Sequence, residues 1–185
     1  MALFFFDFQD VKKQEARALL SSFIVQLSSR SSTFHDILYN FYSAHHNGSQ
    51  QPSPESLMKC LEDMLEAPGG VPIYLILDAL DECHNTSGIP SSLYQVLSVV
   101  KKLVNLNPPS LHLCITSRPE AEIRACLEPL TPTSNRISLH DQSGQRIDIH
   151  DFIRAVVYSD ENMRRWRDAD KQLVIETLSE KANGM

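Results

Sequence analysis

The chain has 185 residues, 42% hydrophobic and 22% charged, a balance that suits one globular domain or slightly more and excludes a disordered, collagen-like or disulfide-scaffold polymer. Seventeen Lys and Arg against 23 Asp and Glu leave a formal charge of -6, so no basic field draws in nucleic acid. Cys60, Cys83, Cys114 and Cys126 form no Cys-x-x-Cys pair, and the seven histidines show no metal-ligand spacing, which argues against a zinc ribbon or a dithiol redox motif.

The apolar opening Ala2 to Phe6 is cut off by Asp7, too short for a secretory signal or a membrane span. An intracellular, cytoplasmic protein without a membrane partner is expected, and the acceptor-like triplets Asn47-Gly48-Ser49 and Asn85-Thr86-Ser87 are read as plain loops. Leu3 to Phe8 is short enough for a buried strand. Leu19, Leu20, Phe23, Ile24 and Leu27 then recur at helical spacing, and Phe34, Ile37, Leu38, Phe41 and Tyr42 repeat the pattern after a Ser-rich break. Ser53-Pro54-Glu55 supplies a cap and a first-turn proline for a third helix through Leu65, which stops near Pro68-Gly69-Gly70.

Val71 to Leu77, running into Asp78, is the nearly continuous apolar run that a strand buried in a parallel sheet requires. A helix carrying Leu93, Val96, Leu97, Val100, Leu103 and Val104 follows, then a strand from Leu111 to Ile115 and a short helix opened by Pro119. Ile137 and Leu139 alternate with polar neighbours in an expected last strand. Beyond Gly144 only helices are expected, one started by Asp148 and Asp151 with a stripe of Ile149, Phe152, Ile153 and Val156, and one carrying Leu173, Val174 and Leu178 and ending near Asn183-Gly184. The alternation of strands and helices predicts an α/β fold, a parallel sheet over residues 1–145, followed by an all-helical segment over 146–185.

Asp78, Asp81 and Glu82 stand at the carboxyl end of the strongest strand, where open α/β sheets place their ligands. Mg²⁺ prefers oxygen donors of this kind, so Asp78 is the candidate metal residue, through water, while Asp81 or Glu82 could orient or deprotonate an attacking water. Thr116-Ser117-Arg118-Pro119 places hydroxyls and a guanidinium at the end of a neighbouring strand, and Arg118 could reach a terminal phosphate. Strand ends also carry Asp as loop and cap formers, and Ser-Arg-Pro alone is a common cap.

These segments together resemble the nucleotide-binding domain of NACHT-type NTPases of the STAND class, in the fungal nephrocystin-like branch. The resemblance is carried by Phe4-Phe5-Phe6-Asp7-Phe8, by the Walker B-like Leu75-Ile76-Leu77-Asp78-Ala79-Leu80-Asp81-Glu82-Cys83, by the sensor-like Ile115-Thr116-Ser117-Arg118-Pro119 and by the closing Glu180-Lys181-Ala182-Asn183-Gly184-Met185. It implies a three-layer P-loop NTPase-like sheet, ATP or GTP with Mg²⁺ as ligand of intact members, Ser117 and Arg118 on the nucleotide, Asp78 on the metal, and Asp81 and Glu82 in catalysis. It also implies ankyrin, WD40 or tetratricopeptide repeats downstream and control of homo-oligomerisation. None of the six glycines is followed by Lys, so the Gly-x-x-x-x-Gly-Lys-Ser/Thr loop is missing with its strand, which by the resemblance would lie in the middle of the sheet, beside Leu111 to Ile115, so that a central gap rather than a trimmed edge is expected. The expectation is a fragment of a signalling NTPase switch with weak or absent nucleotide binding, the alternative a non-catalytic pseudo-NTPase scaffold; a metal-dependent phosphatase or nuclease built on the three acids ranks third.

Overall fold

The computed structural model describes residues 1–68, 70, 72–83, 91–138 and 143–182. Three strands, β1 (Ala2–Phe5), β2 (Ile73–Asp78) and β3 (Leu111–Ile115), form a parallel sheet in the order β1-β2-β3. Leu75 lies between Ala2 and Leu113, and Leu77 between Phe4 and Ile115, which fixes the faces. The helices are α1 (Ala16–Ser28), α2 (Ser32–Ala44), α3 (Pro54–Leu65), α4 (Ser92–Leu106), α5 (Ala121–Leu127), α6 (Ser143–Ser159) and α7 (Asp168–Lys181). The chain divides into two units, Met1–Thr131 and Pro132–Met185.

Helix starts follow local chemistry. Ser53 caps α3 by accepting from the Ser56 N–H at 3.2 Å, with Pro54 at the first position, and Ser91 caps α4 by accepting from the Tyr94 N–H at 3.3 Å. α4 ends on Asn107 in the left-handed region, just before Pro108-Pro109. Among the described residues no helix is long and apolar enough to cross a membrane.

The first unit has one core. Ala2, Phe4, Ile73, Leu75 and Leu77 on one sheet face pack with Leu19, Leu20, Phe23, Ile24 and Leu27 of α1, Phe34 of α2, Leu57, Leu61 and Met64 of α3, Val96, Val100 and Leu103 of α4, and Ile123 of α5. The opposite face belongs to no such cluster: Phe5 is 52% and Tyr74 48% exposed, and His112 and Cys114 are exposed beside them. Tyr74 and His112 stack there, ring centroids 4.6 Å apart. Two layers are therefore seen in this unit where three were expected. The reason is topological: right-handed crossovers that advance from β1 to β2 to β3 put both connections on the same side of the sheet.

Other differences are local. β1 stops at Phe5, and Phe6, although buried, leads into a turn. Ile137 lies exposed outside any strand, and Leu139 falls outside the described residues, as do Asn85-Thr86-Ser87 and Asn183-Gly184-Met185. In the second unit α6 starts at Ser143, so Asp148 and Asp151 sit inside the helix rather than at its cap. Among the described side chains of α6 the buried one is Val157, not Phe152 or Val156, and α7 buries Ile175 and Lys171, while Leu173 is exposed. The Lys171 ammonium sits 5.1 Å from the centroid of the Tyr158 ring, an arrangement that keeps a covered cation favourably placed.

One buried and one bare face make opposite predictions for neighbouring strands. Leu75→Ala should lower unfolding free energy by about 2–5 kcal/mol, because it opens a cavity in a packed core. Phe5→Ala should cost about 0.5 kcal/mol or less, as a substitution away from the core. Urea titrations of both variants check the assignment of the faces.

Candidate functional site

The carboxyl ends of the three strands bring the acids and the Thr116 to Pro119 segment to one edge of the sheet. Parallel alternation explains the placement: Leu77 pairs with Ile115, so the next residues, Asp78 and Thr116, fall side by side on the other face. The Thr116 hydroxyl donates to Asp78 Oδ1 and accepts from the Ala79 N–H at 3.0 Å. The Thr116 backbone adds two more ties, its N–H donating to the Leu77 carbonyl at 2.9 Å and its carbonyl accepting from the Leu80 N–H at 3.0 Å.

Ala79 takes φ 55° and ψ 48°, a left-handed conformation that a residue with a Cβ adopts at a cost of about 1–2 kcal/mol. The turn lets the chain leave the strand abruptly and enter a single 3₁₀ turn over Leu80–Glu82. That turn aims Asp81 and Glu82 in different directions. Asp81 is largely covered, and its carboxylate accepts from the Arg118 N–H at 2.9 Å and lies 3.4 Å from Arg118 Nε. Glu82 Oε2 accepts from the Phe8 N–H at 3.3 Å, reaching the segment after β1.

Beneath the acids the same segment is anchored a second way. Gln14 is buried, its Nε2 donating to the carbonyls of Asp7 at 3.2 Å and Phe8 at 3.0 Å, and the Cys83 thiol donates to the Gln14 carbonyl at 3.2 Å. Burial pushes the Cys83 thiol up to about 12, so it stays protonated and serves as a structural donor rather than a nucleophile.

The predicted residues therefore meet, with different tasks. Asp78 is bonded to Thr116 and Asp81 to Arg118, two separate links to the segment after β3, and Glu82 connects the turn after β2 to the loop after β1. Ser117 does not join them: its hydroxyl donates to the Arg118 carbonyl at 2.8 Å. Thr116 is the residue whose task sequence reading missed, and the pairing of Leu77 with Ile115 is the signal that points to it. Among the described residues no group of three or more His, Cys, Asp or Glu could hold a metal ion, so the three acids do not converge on a shared metal cluster as a phosphatase or nuclease would require.

The family described as nephrocystin 3, N-terminal, matches residues 1–118, more than half of the chain and all three strands. No curated protein and no solved structure gives a significant match.

Two predictions test the roles assigned here. Thr116→Val should lower stability by about 1–3 kcal/mol, for two hydrogen bonds removed at about 0.5–1.5 kcal/mol each, whereas Thr116→Ser and Ser117→Ala should stay within about 0.5 kcal/mol of the parent by urea unfolding. In timed alkylation of the folded protein at pH 8, the exposed Cys114 should react first, and the buried Cys60 and Cys83, pushed up to about 11 and about 12, should be the last modified.

Proposed function

The chain belongs to the nephrocystin 3 N-terminal family, and from that premise we propose that it forms the Walker B and sensor half of a nucleotide-binding signalling switch of the NACHT type within the STAND class. The observation that carries the reading is the shape of what the sheet leaves open. β3 is a terminal strand, and its residues alternate in pairing: the bonds from Ile73 N–H to Ser110 and from Thr116 N–H to Leu77 turn the even-numbered residues toward β2 and the Leu113 and Ile115 peptides outward. One sheet face carries exposed Phe5, Tyr74 and His112, although parallel sheets are normally covered on both faces.

A strand added beyond β3, followed by a helix crossing the bare face to β1, would fill both openings with a right-handed connection. The resemblance assigns the missing strand and Gly-rich loop to the middle of the sheet, beside β3, a place that the direct pairing of β2 with β3 closes here; added instead at the outer edge of β3, the loop would still bring its backbone N–H groups to the carboxyl end of the sheet that carries Asp78. In such a completed site Asp78 would hold Mg²⁺ through water, Asp81 or Glu82 would orient a water, and Arg118 would swing from Asp81 toward the terminal phosphate. Mg²⁺ would supply charge neutralisation of the β- and γ-phosphates. Ser117 would lie within reach of the nucleotide only after turning away from the Arg118 carbonyl.

This chain on its own has the Mg²⁺ and sensor groups without the cradle that makes most phosphate contacts, so weak or absent nucleotide binding follows. Downstream ankyrin, WD40 or tetratricopeptide repeats and nucleotide-controlled homo-oligomerisation belong to the same proposal. The second reading, a pseudo-NTPase scaffold in the cytoplasm, draws support from the bonds themselves: Asp78, Asp81 and Glu82 each already accept from a protein donor, which suits acids kept for structure.

Calorimetric titration with Mg-ATP and Mg-GTP separates the two. The chain alone should give no or only feeble heat. The same chain with a strand, a Gly-x-x-x-x-Gly-Lys-Thr loop and a helix joined ahead of Met1 should bind in the micromolar range, and Asp78→Ala should abolish that binding. A folded, completed protein that binds neither nucleotide would favour the scaffold.

A further inference from the structure

The two edges of the sheet are finished differently. At the outer edge of β1 the side chain of Gln26, from α1, lies against the backbone of Leu3: the Leu3 N–H donates to Gln26 Oε1 at 3.0 Å, and Gln26 Nε2 donates to the Leu3 carbonyl at 2.7 Å. Nε2 also donates to Ser22 Oγ at 2.9 Å, one helical turn earlier, which holds the amide in place. A primary amide offers the same donor and acceptor pair as a peptide unit, so Gln26 bonds Leu3 as a neighbouring strand would. No described residue does this for Leu113 or Ile115 at the β3 edge.

We propose that Gln26 is a strand terminator, closing the β1 edge so that strand addition to this sheet is confined to β3. Without it β1 would present an unpaired backbone beside exposed Phe5 and Val25, an apolar edge of the kind that templates pairing with another chain. The consequence concerns assembly. A sheet with one open edge can pair with one other copy and is then closed, whereas a sheet with two open edges can add copies at both ends without limit. The inference stands on the edge geometry and does not depend on nucleotide binding.

Gln26→Leu keeps the bulk and removes both hydrogen bonds. In sedimentation velocity the parent chain should not exceed twice its monomer mass, whereas Gln26→Leu, still folded by circular dichroism, should pass about twofold and keep rising with concentration, as open-ended pairing requires. Adding Leu3→Pro, which deletes the N–H an incoming strand would use, should return the variant to the parent's behaviour. A folded Gln26→Leu protein that sediments like the parent, or a parent that itself grows without limit, overturns the proposal. Should Gln26→Leu fail to fold, the parent still decides: a through-hydrogen-bond NMR coupling between the Leu3 amide nitrogen and the Gln26 side-chain carbonyl carbon is expected, and its absence from an assigned spectrum refutes the terminator.

Discussion

The handedness of the connections is the constraint on which the rest depends. Because β1, β2 and β3 follow one another across the sheet in chain order, right-handed crossovers stack the intervening helices on a single face. Leu75 and Leu77 are consequently buried to completion while Tyr74, one residue away, is half exposed. The same constraint decides what could complete the sheet, since the bare face can be covered only by a connection running the other way, from beyond β3 to β1 or from β3 to beyond β1. Gln26 bonding to Leu3 obstructs the second route and leaves the first.

Parallel order also concentrates polar groups at one edge. All three strands end on the same side, so Asp78, the Thr116 hydroxyl, Arg118 and the loop after β1 converge there without any long-range design of individual contacts. Thr116 is central to that edge because it bonds through both backbone groups and its hydroxyl, bridging the last residue of β2 and the left-handed Ala79. Strain at Ala79 is thereby held by bonds from the neighbouring strand, a pattern found where a backbone is kept in an uncommon conformation for a site. A change in the position of β3 would act on Asp78, Ala79, Leu80 and Asp81 together, and Glu82 with Cys83 would carry it to the segment around Phe8 and Gln14.

Much of this was legible in the sequence, for reasons that can be named. β2 and β3 are apolar runs bounded by Gly, Pro or acidic residues, and α1, α3 and α4 carry stripes and caps that local chemistry enforces, as Ser53 and Ser91 illustrate. Short segments were less legible. Ile137 and Leu139 alternate as a strand would, but two residues cannot specify a pairing partner, and Ile137 lies exposed in irregular chain. In α6 and α7 apolar residues surround the helix, so periodicity alone pointed to Phe152 and Leu173 where packing chose Val157 and Ile175. The site showed the same limit: acids after a buried strand announce themselves, whereas choosing Thr116 over Ser117 needs the register between strands, which no single segment contains.

Residue-resolved hydrogen exchange across β3 tests the central claim, that this edge of the sheet is built to take a further strand, most directly. The account predicts slow exchange at His112 and Cys114, whose amides face β2, and fast exchange at Leu113 and Ile115, whose amides face outward. Joining a strand, Gly-rich loop and helix ahead of Met1 should slow those two while leaving Leu3 as it was. Leu113 and Ile115 as protected as their neighbours in the chain by itself, or unchanged in the joined protein, would contradict it.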